Sequence, residues 1–232
     1  MDLPSLRPGR FLSRDNRFRA TVVVDGRETW AHVPNSGRLT ELFVPGRSLW
    51  LAPAAAPHRK TDYDLKLVEY PVPGRGDVLV SVDARLPNPL FAEALAADRL
   101  PAFPCTSSER EIVLGDSRID FRLQGPGGAC WVETKSVTLV EEETALFPDA
   151  PTGRGRRHLE ELAAAVEAGE RAAVVFVVQR PDARQFAPHP TADPAFAETL
   201  RAVAAAGVDV RAYACDVSLA AITLSHEIPV CL

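Results

Sequence analysis

The 232-residue sequence predicts an α+β protein of two domains: an N-terminal OB-like small β-barrel over residues 1–83 and a C-terminal α/β domain with a mixed sheet over residues 84–232. Three observations predict it. The first eighty residues are short β-branched or alternating runs broken by Gly, Pro and Asn turns. Composition changes across Asp83–Pro89, where helical Ala/Leu spacing begins. Beyond that point strands alternate with helical stretches, which requires crossover connections and a partly parallel sheet.

In order along the front half, Phe18–Val24 is a β-branched run ending in Asp25-Gly26, a two-residue hairpin turn, and Glu28–Val33 returns with alternation. Pro34-Asn35-Ser36-Gly37 is a second turn, followed by a short helical segment at Leu39–Phe43. Strands are expected at Ser48–Ala52, Tyr63–Tyr70 and Val78–Val82, with an Ala/Pro loop at 52–57. Five short strands with one brief helix fit the closed oligonucleotide-binding architecture.

In the back half a helix is expected at Leu90–Leu100, which Asn88 caps if Pro89 takes the first helical position. A strand at Glu111–Leu114 precedes a hairpin from Arg118 to Lys135, in which Ile119, Phe121 and Leu123 alternate with charged residues and Gly125–Gly128 break the run. A Glu-rich loop at 141–143 leads to a helix at about Gly155–Ala168. Ala172–Gln179 is a continuous apolar run and hence a buried strand. Asp193-Pro194 opens a helix at Ala195–Ala206, Gly207 stops it, and Val208–Ala214 is a second buried strand.

The hairpin is the candidate site. With a turn centred between Pro126 and Gly127, Asp120 and Glu133 are equidistant from the centre and face each other, while Glu133 and Lys135 share one strand face. Opposed carboxylates are destabilising unless a cation lies between them, and a hard divalent ion such as magnesium or manganese suits this role. Glu111 offers a third acid if its strand pairs alongside. Metal-assisted phosphodiester cleavage needs such a set: acids for the ion and a cation near the developing charge. Of 26 basic residues 23 are Arg, and only Lys60, Lys66 and Lys135 are Lys, so the ammonium at 135 stands out.

Residues 1–60 hold 10 Lys and Arg against 5 Asp and Glu, whereas the remaining 172 hold 16 against 26. The net charge of −5 therefore hides a basic front, suited to a phosphate backbone, and an acidic rear, suited to a metal. Arg17, Arg19, Asn35 and Arg38 are the candidate nucleic-acid contacts of the barrel, near Arg10 and Arg14. Trp30 and Trp50 serve either as stacking surfaces or as core. Arg118 and the cluster Arg154, Arg156, Arg157 and His158 at a helix start are the candidates of the rear domain, although a lone histidine such as His158 is more often a plain helix residue. Asp149 either reaches the metal region or bonds its own loop. Cys105, Cys130, Cys215 and Cys231 show no metal or redox spacing and are read as reduced thiols. No apolar run reaches a membrane span and the N-terminus lacks a signal-peptide pattern, so a cytoplasmic location without a membrane partner is expected. No Walker loop, GxSxG elbow or dinucleotide fingerprint occurs.

HVPNSG at 32–37, Pro45-Gly46, SRIDF at 117–121, WVETKSVTL at 131–139 and FPDAPTGRGRRHLEEL at 147–162 closely resemble the sugar fermentation stimulation protein A (SfsA) family, in order along nearly the whole chain. The resemblance implies an N-terminal OB-like domain and a C-terminal domain of the PD-(D/E)xK nuclease type. It also implies DNA binding with little sequence preference and a role in regulating sugar, notably maltose, utilisation. Asp120, Glu133 and Lys135 stand where such a nuclease keeps its acid and its E-x-K; Ile119 replaces the proline of the motif's name, which supplies no ligand. The expectation is a magnesium- or manganese-dependent nuclease acting on DNA, with Asp120, Glu133 and Glu111 as metal ligands and Lys135 activating water. A homodimer is one assembly open to the chain, and the sequence does not choose its oligomeric state. The alternatives are a non-cleaving DNA-binding regulator of sugar-metabolism genes and a hydrolase of another phosphodiester.

Overall fold

The computed structural model describes residues 1–54 and 59–232, so positions 55–57 of the loop expected at 52–57 lie outside the described residues. Strands β1 (Arg7–Asn16), β2 (Arg19–Val24) and β3 (Arg27–His32) form an antiparallel meander. Asp25 and Gly26 both have positive φ, 50° and 75°, the geometry a two-residue turn between twisted strands requires. β4 (Ser48–Pro53) pairs with β1, and β5 (Tyr63–Val72) pairs antiparallel with β4 and parallel with β3 through Ala31↔Tyr63 and His32↔Asp64. The ring β1-β2-β3-β5-β4 is thereby closed around Phe11, Val22, Ala31, Leu49, Leu51 and Leu65, giving the OB barrel the sequence predicts.

Its five strands are not the five expected. β6 (Gly76–Ser81) extends β5 as a hairpin outside the ring, and β1 supplies the missing member. The β1 sequence hides its strand because only Phe11 of its ten residues is fully buried. Leu39–Phe43 closes one hydrogen-bonded turn, Phe43 N donating to Leu39 O at 3.0 Å, and does not continue as a helix.

The C-terminal body opens with α1 (Pro87–Ala96), followed by β7 (Ser107–Leu114), β8 (Ser117–Gly125) and β9 (Gly128–Val137). Leu86 is the N-cap and Pro87 takes the first turn, so Asn88 lies inside the helix and does not cap it, a correction to the expected start. After β10 (Val140–Glu141), β11 (Thr144–Phe147) and α2 (Gly153–Glu167) come β12 (Arg171–Val178), β13 (Gln185–Pro188), α3 (Pro194–Ala205), β14 (Asp209–Val217) and β15 (Ile222–Ile228). The main sheet runs β15-β14-β12-β9-β8-β7, parallel among β14, β12 and β9 and antiparallel at both flanks. Helices α2 and α3 cover one face through Leu159, Leu162, Phe196 and Leu200; α1 covers the other through Leu90, Phe91 and Ala94. Thr152 and Asp193 cap α2 and α3 with their side chains. The expected Glu-rich loop is a tight reversal between β10 and β11, with Glu142 and Glu143 both at positive φ, and with β13 these strands form a small second sheet.

The division at residue 83 has one exception in space: Leu3 N donates to Ala220 O at 2.7 Å, so the first residues lie on the C-terminal body. Barrel and body are joined by buried polar contacts. Ser81 Oγ donates to Gln179 Oε1 at 2.9 Å, while Gln179 Nε2 donates to Asp83 O and to Ser136 Oγ. Arg180, fully buried, holds Asp182 through two bonds and lies 4.4 Å over the Tyr70 ring of the barrel. A buried guanidinium needs this degree of saturation to offset its desolvation.

Candidate active site

The β8–β9 hairpin has the expected register from Gly125↔Gly128 to Phe121↔Val132 and then opens. Beyond Phe121 the ladder bonds are replaced by side chains: Asp120 N donates to Glu133 Oε2 at 3.3 Å and Thr134 N to Asp120 Oδ2 at 2.8 Å. Ile119 consequently turns into the core under α2 and α3, although Phe121, two residues on, packs under α1. The two carboxylates meet in the gap where the strands part, so they are not flat neighbours on an unbroken face.

Each carboxylate is held from a different element. Asp120 receives Asn88 Nδ2 of α1 at 2.7 Å and Thr134 Oγ1 at 2.9 Å. Glu133, 3% exposed, receives Lys135 Nζ on Oε1 at 2.6 Å, and the same oxygen takes His158 Nδ1 of α2. Arg154 Nε donates to His158 Nε2 at 3.2 Å, so the imidazole bridges Arg154 and Glu133 through its two ring nitrogens. Burial together with the charge of Glu133 pushes Asp120 above the usual carboxylate range. Burial pushes Glu133 the same way, but the His158 hydrogen bond and the Lys135 charge outweigh it and hold Glu133 below its usual value.

These groups line a cleft of about 530 Å³ that also presents Arg85, Pro87, Arg110, Glu111 and Ser136. Glu111 lies across from Asp120 in β7 but is exposed on the rim, with φ of 56°. Among the described residues no group of three or more His, Cys, Asp or Glu side chains is gathered for a metal ion, so Glu111 is not brought in as a third ligand. Asn88, Thr134 and Arg85 are members of the site that the sequence reading did not single out. Asn88 carried a signal, an Asn before a proline at a helix start, but one that points equally to capping.

The remaining candidates divide. Arg154 and His158 are in the cleft, whereas Arg118 is exposed outside it. Arg17 lines a separate cavity between barrel and body. Arg19 lies 4.6 Å over the Trp30 ring and pairs with Asp15, both on the outer barrel wall. Trp30 is 46% exposed, so it is not core, whereas Trp50 is half-buried and bonds Glu69. Asn35 is buried: its amide donates to Val82 O and its oxygen accepts from Gly37 N, which leaves it shaping the loop. Arg38 contacts the body by its backbone N, which donates to Asp149 Oδ2 at 2.7 Å. Asp149 thus ties the two domains, neither of the roles expected of it. The four cysteines are free, and among the described residues no helix is long and apolar enough to cross a membrane.

Residues 12–82 match the model of the SfsA N-terminal OB domain and residues 85–221 that of the sugar fermentation stimulation protein RE domain. A sugar fermentation stimulation protein homolog of Desulforamulus reducens is 45% identical over 98% of this chain and 93% of its own length. The homolog of Moorella thermoacetica is 46% identical over 97% of this chain and 96% of its own length. The structure of Pyrococcus furiosus SfsA in complex with Ca2+ superimposes with a TM-score of 0.88 at 34% identity, covering 100% of this chain and 98% of that one. Over both its domains, the chain belongs to the sugar fermentation stimulation protein family.

Proposed function

We propose that the chain is a DNA-binding phosphodiesterase of the nuclease type, active with magnesium or manganese. The observation that carries this reading is the pair Asp120 and Glu133, buried in the gap between two parting strands with Lys135 on the Glu133 oxygen. The donor set fits a hard divalent cation: oxygen ligands only, and an Asp120 whose ionisation is opposed by Glu133 and would be favoured by added positive charge. Two carboxylates without a third are also the kind of partial shell magnesium accepts, since it retains several waters. The Ca2+ in the P. furiosus relative supports the same choice.

When bound, such an ion supplies Lewis acidity toward a phosphate oxygen. This chain's own residues supply the rest. Asn88 and Thr134 orient Asp120, and His158 fixes Glu133. Lys135, whose Nζ lies 2.6 Å from Glu133 Oε1, is placed to orient the attacking water or to neutralise charge on the phosphate. Arg85, Arg110 and Arg154 line the approach and attract the polyanion.

The test is incubation of the protein with DNA in magnesium or manganese beside Glu133→Ala and Lys135→Ala. Cleavage is expected in the wild type and not in either variant. A second reading, binding without cleavage, draws on Glu133 Oε1 already holding both Lys135 and His158. DNA binding kept in all three proteins with no cleavage in any would leave that reading standing.

A further inference from the structure

We infer that the nucleic acid this protein engages is an unpaired strand, which continues from the catalytic cleft into the cavity between barrel and body and stacks a base on Phe18. The inference rests on the reading of the cleft as a nucleic-acid site. The second cavity, of about 290 Å³, is walled by Arg17, Asn35 and Gly37 of the barrel and by Thr138, Phe147 and Asp149 of the body. It adjoins the cleft at Ala84 and Ser136, two small residues that line both. Opposite ends of the path carry cations, Arg154 in the cleft and Arg17 in the cavity, as a phosphate backbone requires.

Next to Arg17, Phe18 is 50% exposed at the β1–β2 turn. An exposed aromatic is commonplace, but the backbone that presents this one is held firmly. Arg14 donates to the carbonyls of Arg17, Asn35, Gly37 and Arg38, Val33 N donates to Phe18 O, and Phe18 N donates to Asn16 Oδ1. An exposed ring on a firmly held backbone, next in sequence to a cation, supplies the two elements that bind single strands, since every unpaired base has a face to stack. A base-paired duplex buries those faces and is too wide for a cavity of this size.

The experiment is fluorescence anisotropy of a labelled oligothymidylate, a blunt duplex of equal length and a duplex with a single-stranded overhang, each with magnesium and with EDTA. The oligothymidylate and the overhang should bind about tenfold more tightly than the blunt duplex. Arg17→Ala and Phe18→Ala, both at exposed positions, should each weaken single-strand binding by about tenfold and leave the blunt duplex unchanged. Ala84→Leu, also at an exposed position, should weaken the single strand by adding bulk where cavity and cleft adjoin. Equal or tighter binding of the blunt duplex, or unchanged single-strand binding in the Arg17 and Phe18 variants, overturns the inference while the catalytic reading stands. Failure to bind any of the three nucleic acids overturns both.

Discussion

Glu133 and Lys135, two residues apart on one face of β9, meet at 2.6 Å, and the same Glu133 oxygen takes the Nδ1 proton of His158 from α2. The strand sets the first contact and the helix packed over it sets the second. Together they keep a buried carboxylate ionised.

Removing Lys135 should therefore cost stability in a pH-dependent way. A carboxylate held below its ordinary value contributes stability that is complete above its unfolded-state value and is lost as pH falls through the folded one. Lys135→Ala should destabilise the protein by about 2 kcal/mol near neutrality, less than a fully broken buried pair because His158 remains. The loss should shrink as pH falls through the carboxylate range. Urea denaturation at neutral and acid pH measures it, and a loss independent of pH would contradict the assignment.

Asp120 should behave in the opposite sense. Its folded value is raised, so the associated stability is present below the unfolded value and lost as pH rises through the folded one. Asp120→Asn should consequently be more stable than wild type at neutral pH, by about 1 kcal/mol, and lose this advantage in acid. In wild type a divalent cation at 100 times its dissociation constant should add about 2.7 kcal/mol, and in Asp120→Asn far less. Thermal melts with magnesium, manganese or EDTA check both statements.

Asn88→Ala removes the α1 bond to Asp120 without touching either carboxylate's charge. Divalent-cation affinity should fall about tenfold, the size of effect usual for a group that orients a ligand. Isothermal titration with manganese provides the measurement. Thr134→Val, losing the hydroxyl that also orients Asp120, should act in the same direction.

Gly37 is required by proximity. A Cβ there would lie 2.3 Å from Asp149 Oδ2 and 3.0 Å from Asn35 Oδ1. Gly37→Ala should destabilise by about 1–3 kcal/mol, as overpacking does. In an Asp149→Ala background the added cost should largely vanish, a coupling that a double-mutant cycle in chemical denaturation detects.

Much of the site was legible because hairpin geometry is local. The Gly-rich turn sets the register, and register alone placed Asp120 across from Glu133 and Lys135 beside it. The helix start at Asp193 was readable for the same reason, since caps and prolines act within one turn, whereas α2 begins at Gly153 behind the Thr152 cap, two residues before the expected Gly155. β1 escaped notice because its inner face buries little beyond Phe11, and β15, the edge strand, because the exposed run Ser225-His226-Glu227 breaks its alternation. Asn88 was read as a cap because nothing in its neighbours reveals that Asp120, 32 residues away, takes its amide.

By itself, the sequence determined the two-domain organisation, the closed front barrel, the mixed rear sheet and the face shared by Glu133 and Lys135, because turns, alternation and periodicity are properties of neighbouring residues. The tertiary structure decided where β8 and β9 part, that His158 and Asn88 reach the two carboxylates, that Asp149 joins the domains, and that the cavity lined by Arg17 adjoins the cleft. Those relationships depend on how α1, α2 and the barrel pack against the sheet. Packing between distant segments leaves no periodic trace in the chain.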